Sequence, residues 1–108
     1  MKAEDFDTWI AALRSGKYAQ TRGILYRDKD GDGTEAGFCC LGVACEVLNV
    51  PHDGKRLLDK HGEPYRDYSL LWKMGIPTSE CIRKNDSERL SFIELADWLE
   101  IMRPTIVR

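Results

Sequence analysis

The run CCLGVACEVL at residues 39–48 constrains the fold of this chain more than any other segment. At about 100° per residue, Leu41, Ala44, Cys45 and Leu48 share one helical face. Cys40, Val43 and Val47 line an adjoining face, which leaves Cys39, Gly42 and Glu46 for the third side. A helix apolar around so much of its girth has to be surrounded by the rest of the chain. The spacing therefore predicts a central buried helix at about 40–48, starting at Cys39 or Cys40 and ended by Val50-Pro51. A chain of 108 residues can wrap one such helix in a modest core but cannot build two, so one domain over 1–108 is expected.

The wrapping elements are legible in turn. In residues 4–14, Phe6, Trp9, Ile10 and Leu13 recur at helical spacing. Acidic residues open that segment, Arg14 closes it, and Ser15-Gly16 stops it. A short strand is expected at 24–27. Two turn signals, His52-Asp53-Gly54 and Lys60-His61-Gly62-Glu63-Pro64, predict a hairpin with strands near 56–59 and 64–66. Ser69 to Gly75 reads as a two-turn helix, and Pro77 begins a loop or short helix through Cys81 and Ile82. Ser91 and Glu94 form a capping-box pair ahead of the apolar face Phe92, Leu95, Ala96, Leu99 and Met102. Pro104 is expected to end that last helix. The fold class is α+β: three to four helices packed on one or two short antiparallel hairpins.

A net charge of −2 argues against non-specific nucleic-acid binding, since no generally basic surface is available for phosphate backbones. No apolar run approaches the ~20 residues that cross a bilayer, so no membrane partner is expected. MKAEDFDTW carries no signal-peptide core, and a cytoplasmic location follows as the expectation. Thiols stay reduced there, so the four cysteines are not read as a disulfide framework.

Cys39, Cys40 and Cys45 admit three chemistries. As packing, they are small buried hydrophobes. As a zinc site, Cys40 and Cys45 would need Cys81, His52 and His61 from elsewhere, and no metal is expected on that spacing. As a nucleophile, Cys39 or Cys40 sits at a helix start, where the dipole favours a thiolate. Gln20 could then donate to an oxyanion, and His52 or His61 could act as base, oriented by Asn85 or Asp86. The order Gln–Cys–His–Asn echoes papain-like peptidases, without their signature around the cysteine. Asp28-Lys29-Asp30-Gly31-Asp32-Gly33 matches the first half of an EF-hand loop. The twelfth position from Asp28 is Cys39, a thiol where calcium wants a bidentate carboxylate, so Asp28, Asp30 and Asp32 form a weak candidate only. No cofactor is expected.

Several of these residues also carry a resemblance. Trp9, Ala12-Leu13-Arg14-Ser15-Gly16, Tyr18 and Gln20, then Phe38-Cys39-Cys40-Leu41-Gly42-Val43 and Cys45, resemble a family of small uncharacterised proteins of bacteriophages and some bacteria. Asn85-Asp86 and the run Ser91-Phe92 with Glu94-Leu95-Ala96-Asp97 and Leu99-Glu100 complete the likeness. It implies a small α+β domain and a phage accessory protein. On that basis the expected function is a non-enzymatic binding protein, of counter-defence type, that sequesters a small polar ligand such as a signalling nucleotide. The binding residues would be Arg14, Lys17, Tyr18, Gln20 and Arg22, closed by Asn85 and Asp86. The alternatives are a cysteine-dependent hydrolase or transferase built on Cys39, Cys40, Gln20, His61 and Asn85, and a protein–protein inhibitor of a host factor. Self-association is a further expectation.

Overall fold

The computed structural model describes residues 1–27 and 36–108. The Asp28, Asp30 and Asp32 loop considered for calcium lies outside these described residues.

Helix α1 spans Ala3–Arg14 and buries Phe6, Trp9, Ile10 and Leu13, the stripe that its spacing predicts. Two short strands, β1 (Tyr26–Arg27) and β2 (Gly37–Phe38), pair antiparallel with Tyr26 opposite Phe38 and Arg27 opposite Gly37. Gln20 adds an isolated parallel bridge to Phe38, which ties the 18–22 segment to the same hairpin.

Helix α2 spans Cys40–Val47, and every residue from Cys40 to Cys45 is buried. It packs against α1, and the indole Nε1–H of buried Trp9 donates to the Cys40 carbonyl at 3.0 Å. Its start is crossed by the Leu25 backbone, whose carbonyl accepts from Cys39 N–H at 3.0 Å. A Cβ on Gly42 would overlap that carbonyl oxygen, so only glycine lets the two backbones approach this closely.

Helix α3 (Ser69–Lys73) contributes buried Leu71 to the same core, and α4 (Thr78–Ile82) packs on α2 through buried Cys81. Helix α4 continues into a π-helical turn at Arg83–Ser87. Helix α5 (Phe92–Ile106) packs on α1 and opens with the predicted capping box: Glu94 N–H donates to Ser91 Oγ at 3.1 Å, and Ser91 N–H donates to Glu94 Oε1 at 3.0 Å. Together these elements form an α+β fold around α2, with five α-helices among the described residues where three or four were expected.

Two expectations need correction. The hairpin expected within 52–68 reduces to isolated bridges, His52 with Leu57 and Leu58 with Pro64. Its turn aspartates are the reason. Asp53 Oδ1 accepts from Lys55 and Arg56 N–H, and Asp59 Oδ1 from His61 and Glu63 N–H, so the Arg56 donor is taken out of the ladder and the segment closes into side-chain-held turns with only short pairing between them. Pro104 does not end α5. The turn beyond it is held by the Val107 N–H on the Arg103 carbonyl at 2.8 Å and by the Met1 amine on the Ile106 carbonyl at 2.9 Å. Among the described residues, no helix is long and apolar enough to cross a membrane.

Candidate functional site

Asn85 lies at the centre of the residues singled out from the sequence, and it is fully buried. The π-helical turn, where an extra residue is accommodated, carries this side chain into the core. There Asn85 Oδ1 accepts from Gln20 Nε2 at 2.9 Å and from Cys40 N–H at 3.3 Å. Asn85 Nδ2 donates to the Thr21 carbonyl at 3.0 Å and to Asp86 Oδ1 at 2.7 Å. Both donors and two acceptor positions of the amide are thus engaged. One side chain ties the 20–22 segment to the first turn of α2, where backbone N–H groups lack helical partners. Gln20 donates a second bond to the Leu90 carbonyl at 2.8 Å. Arg22 lays its Nε–H on the Asn85 carbonyl at 3.0 Å and Nη2 near the Arg89 carbonyl at 3.4 Å.

Gln20, Arg22, Asn85 and Asp86 therefore meet, as the sequence suggested, but as a clasp between chain segments. Arg14 is elsewhere. Its guanidinium bridges from α1 to Asp97 at 2.9 Å and Glu100 at 3.3 Å on α5, and the Asp97 bond raises its pKa above the ordinary value. Tyr18 is half-buried with its ring edge-on to Phe38 at 5.2 Å, and Lys17 is exposed. Asp86 also lines a small pocket of about 60 Å³ with Cys39, Leu41 and Tyr68, room for a water or two.

The thiols lie inside the core. Cys39 caps α2, its Sγ accepting from Gly42 N–H at 3.4 Å. Burial, and then the neighbouring Cys40, push its thiol up to about 12. Burial likewise pushes Cys45 up to about 12. A hydrogen bond with Cys81, and then burial, hold Cys40 well above the ordinary thiol value; its Sγ lies 3.7 Å from the Cys81 carbonyl. Near neutral pH a thiolate at any of the three is disfavoured, and the dipole of α2 does not overcome desolvation.

Neither histidine is hydrogen-bonded to a cysteine among the described residues. His61 is exposed in the 59–63 turn. Gln20 Nε2, weighed as an oxyanion donor, has both N–H groups directed at Asn85 and Leu90. Among the described residues, no three His, Cys, Asp or Glu side chains are grouped to hold a metal ion, so Cys40, Cys45, Cys81, His52 and His61 do not converge.

A polar concavity lies at the other end of α2. An open groove of about 640 Å³ is lined by Tyr26, Cys45, Glu46, Asn49, His52 and Asp53. Asn49 takes a left-handed conformation, φ 57°, just past the helix, and so turns the chain across the helix end. The Gly54 N–H donates to His52 Nδ1 at 3.0 Å, which fixes the lone pair there and leaves the ring proton on Nε2. Nε2 faces Glu46 Oε1 at 3.9 Å, beyond hydrogen-bond reach, so donor and acceptor stand side by side at the groove. His52 is 11% exposed and Glu46 45%, which makes the ring a fixed wall and the carboxylate a free one. Of these residues only His52 was weighed from the sequence. The available signal for the others was Asn49 directly before Val50-Pro51, a helix-end pattern rather than a site pattern.

No curated protein and no solved structure matches the chain. A family model does match it over residues 1–80, a stretch that holds α1, the β1–β2 hairpin, α2 and the His52 groove. The chain belongs to the family described as Domain of unknown function (DUF8296).

Proposed function

We propose that this chain is a non-enzymatic binding protein, a phage-type accessory protein of counter-defence character, that captures a small polar ligand. The observation that carries the reading is the groove at the C-terminal end of α2. Its volume of about 640 Å³ falls in the range of small-molecule sites, roughly 300–1,000 Å³. Its wall pairs the His52 Nε2–H with the Glu46 carboxylate, a donor–acceptor couple suited to an amide, a hydroxyl or an amine. The buried thiols and the engaged amide of Asn85 support the non-enzymatic part, because a hydrolase needs a nucleophile that can ionise.

Among the described residues, the lining of the groove contains no Lys or Arg side chain. A phosphate placed there would face the Glu46 and Asp53 carboxylates with no counter-charge among the described residues, so a neutral or amine-bearing molecule is the better fit. A signalling nucleotide is the competing ligand, and Lys17 with Arg22 would have to serve it.

The test is native mass spectrometry of the protein exposed to a small-molecule fraction of host extract, with a nucleotide mixture in parallel. A retained mass that disappears in Glu46→Ala, with the melting temperature unchanged, supports capture in the groove. A retained nucleotide that is indifferent to Glu46→Ala moves the site away from it. No retained mass in either sample contradicts the small-ligand reading.

A further inference from the structure

The most exposed aromatic side chain is Trp72 on α3, at 66% exposure. A tryptophan so placed is costly to leave in water and is the residue type most enriched at the centres of protein interfaces. It stands between two shallow grooves. One, of about 400 Å³, runs past Met74, Pro77 and Ile106 and carries Lys73 and Arg108 with no acidic side chain in its lining. The other, of about 350 Å³, runs between α3 and α4 past Tyr68 and Ile82 and carries Asp67 with no basic side chain in its lining. Ile82, at 36% exposure, adds apolar surface to the second. The face is thus apolar at its centre, with Lys73 and Arg108 on one flank and the Asp67 carboxylate, which Lys73 of the same chain also attracts, on the other.

That arrangement is self-complementary. A two-fold axis through such a face brings Lys73 of one copy toward Asp67 of the other, and does so twice. We propose that the Trp72 face is the interface of a two-fold dimer of this chain, with each Trp72 seated in a groove of the other copy and Lys73 opposite Asp67. This surface is separate from the His52 groove in its residues, and the inference does not depend on which ligand that groove takes. Charge pairing at the rim sets register and orientation, while the burial of Trp72 supplies most of the affinity.

Sedimentation equilibrium of the full chain tests this. The wild-type protein should show a reversible monomer–dimer equilibrium, and Trp72→Ala should weaken it at least about tenfold, as loss of a central anchor does. Lys73→Glu and Asp67→Lys should each be monomeric, because each creates two like-charge contacts across the axis. Mixing these two variants should restore a heterodimer, since Asp67 of one then meets Lys73 of the other, and Glu meets Lys at the second contact. That rescue cannot come from pairing within a chain, where each variant holds like charges. Asp67 also accepts from Ser69 N–H at 3.0 Å, so Asp67→Asn, which keeps that bond, accompanies it and should weaken the dimer without abolishing it. A wild-type monomer at all concentrations overturns the inference and leaves Trp72 to a different protein. A dimer indifferent to Trp72→Ala, or a mixture that stays monomeric, overturns it equally.

Discussion

Replacing Asn85 with alanine should cost stability before it costs anything else. The substitution removes one acceptor that serves Gln20 and Cys40 and one donor group that serves Thr21 and Asp86. These partners do not suffer equally. Gln20 keeps its bond to the Leu90 carbonyl, and Asp86 is only half-buried, so both can turn to water. The Cys40 N–H has no such escape, because Cys40 is fully buried. The Thr21 carbonyl is partly shielded in the same place. An orphaned buried backbone group costs about 1–3 kcal/mol, so the pair gives a loss of about 2–4 kcal/mol. At roughly 4 °C per kcal/mol for a domain of this size, the melting temperature should fall by about 8–16 °C. Urea unfolding followed by tryptophan fluorescence reads this directly, as a lower midpoint with an unchanged slope. Asn85→Asp, which keeps the shape but sets a carboxylate against Asp86 Oδ1, should fare no better at pH 7. A loss under about 1 kcal/mol in Asn85→Ala would refute the reasoning, because it would mean that water or a rearranged partner satisfies the Cys40 N–H.

Other consequences follow from the same core. Gly42→Ala forces a methyl against the Leu25 carbonyl and should cost at least about 2 kcal/mol in urea unfolding, in the range of overpacked cores. Cys39, Cys40 and Cys45 should resist iodoacetamide at pH 8 in the native protein and react together once urea unfolds it, as read by peptide mass mapping. Burial pushes Cys39 and Cys45 from the ordinary 9.0 up to about 12, so the stability they lend is complete below pH 9 and is lost as pH rises through that interval, and Cys40 is shifted in the same direction. The loss should approach about 1.4 kcal/mol per thiol per pH unit above 9, measurable as a falling urea midpoint in alkaline buffer. Arg14→Ala, which removes two exposed ion pairs, should leave both the urea midpoint and any ligand binding nearly unchanged.

The parts of the fold that were legible in the sequence are those set by local spacing. The α2 helix follows from an apolar run too broad for a surface helix, α1 from its four-residue stripe, and the start of α5 from its capping box. Gly42 falls on the small-residue side of that helix, and the structure lays the Leu25 backbone against it. The less legible parts are decided at long range. The hairpin at 52–68 shrank to isolated bridges, with Asp53 and Asp59 closing tight turns on backbone N–H groups at both ends of its first strand, a competition that residue counts do not resolve. Pro104 looked like a stop, but contacts at residues 103–107 and with Met1 hold the helix beyond it. The π-helical turn at Arg83–Ser87 has no pattern of its own, yet it alone turns Asn85 inward.

The same limit separates the expected site from the groove. Residue types at 14–22 and 85–86 suggested a polar pocket, and four of those side chains do come together. Their donors and acceptors close on one another rather than on open space. The histidine–carboxylate wall at His52 and Glu46 depends on a left-handed residue, a glycine N–H and the end of a helix meeting in three dimensions. None of those is visible as a motif.

The most direct test of the binding reading is a pair of ¹H–¹⁵N correlation spectra of the native protein, with and without the small-molecule fraction of host extract. The account predicts shifts that cluster at Glu46, Asn49, His52 and Gly54 and are absent in Glu46→Ala. Shifts that centre instead on Gln20, Cys39 and Asn85, or spectra that superimpose, would contradict it.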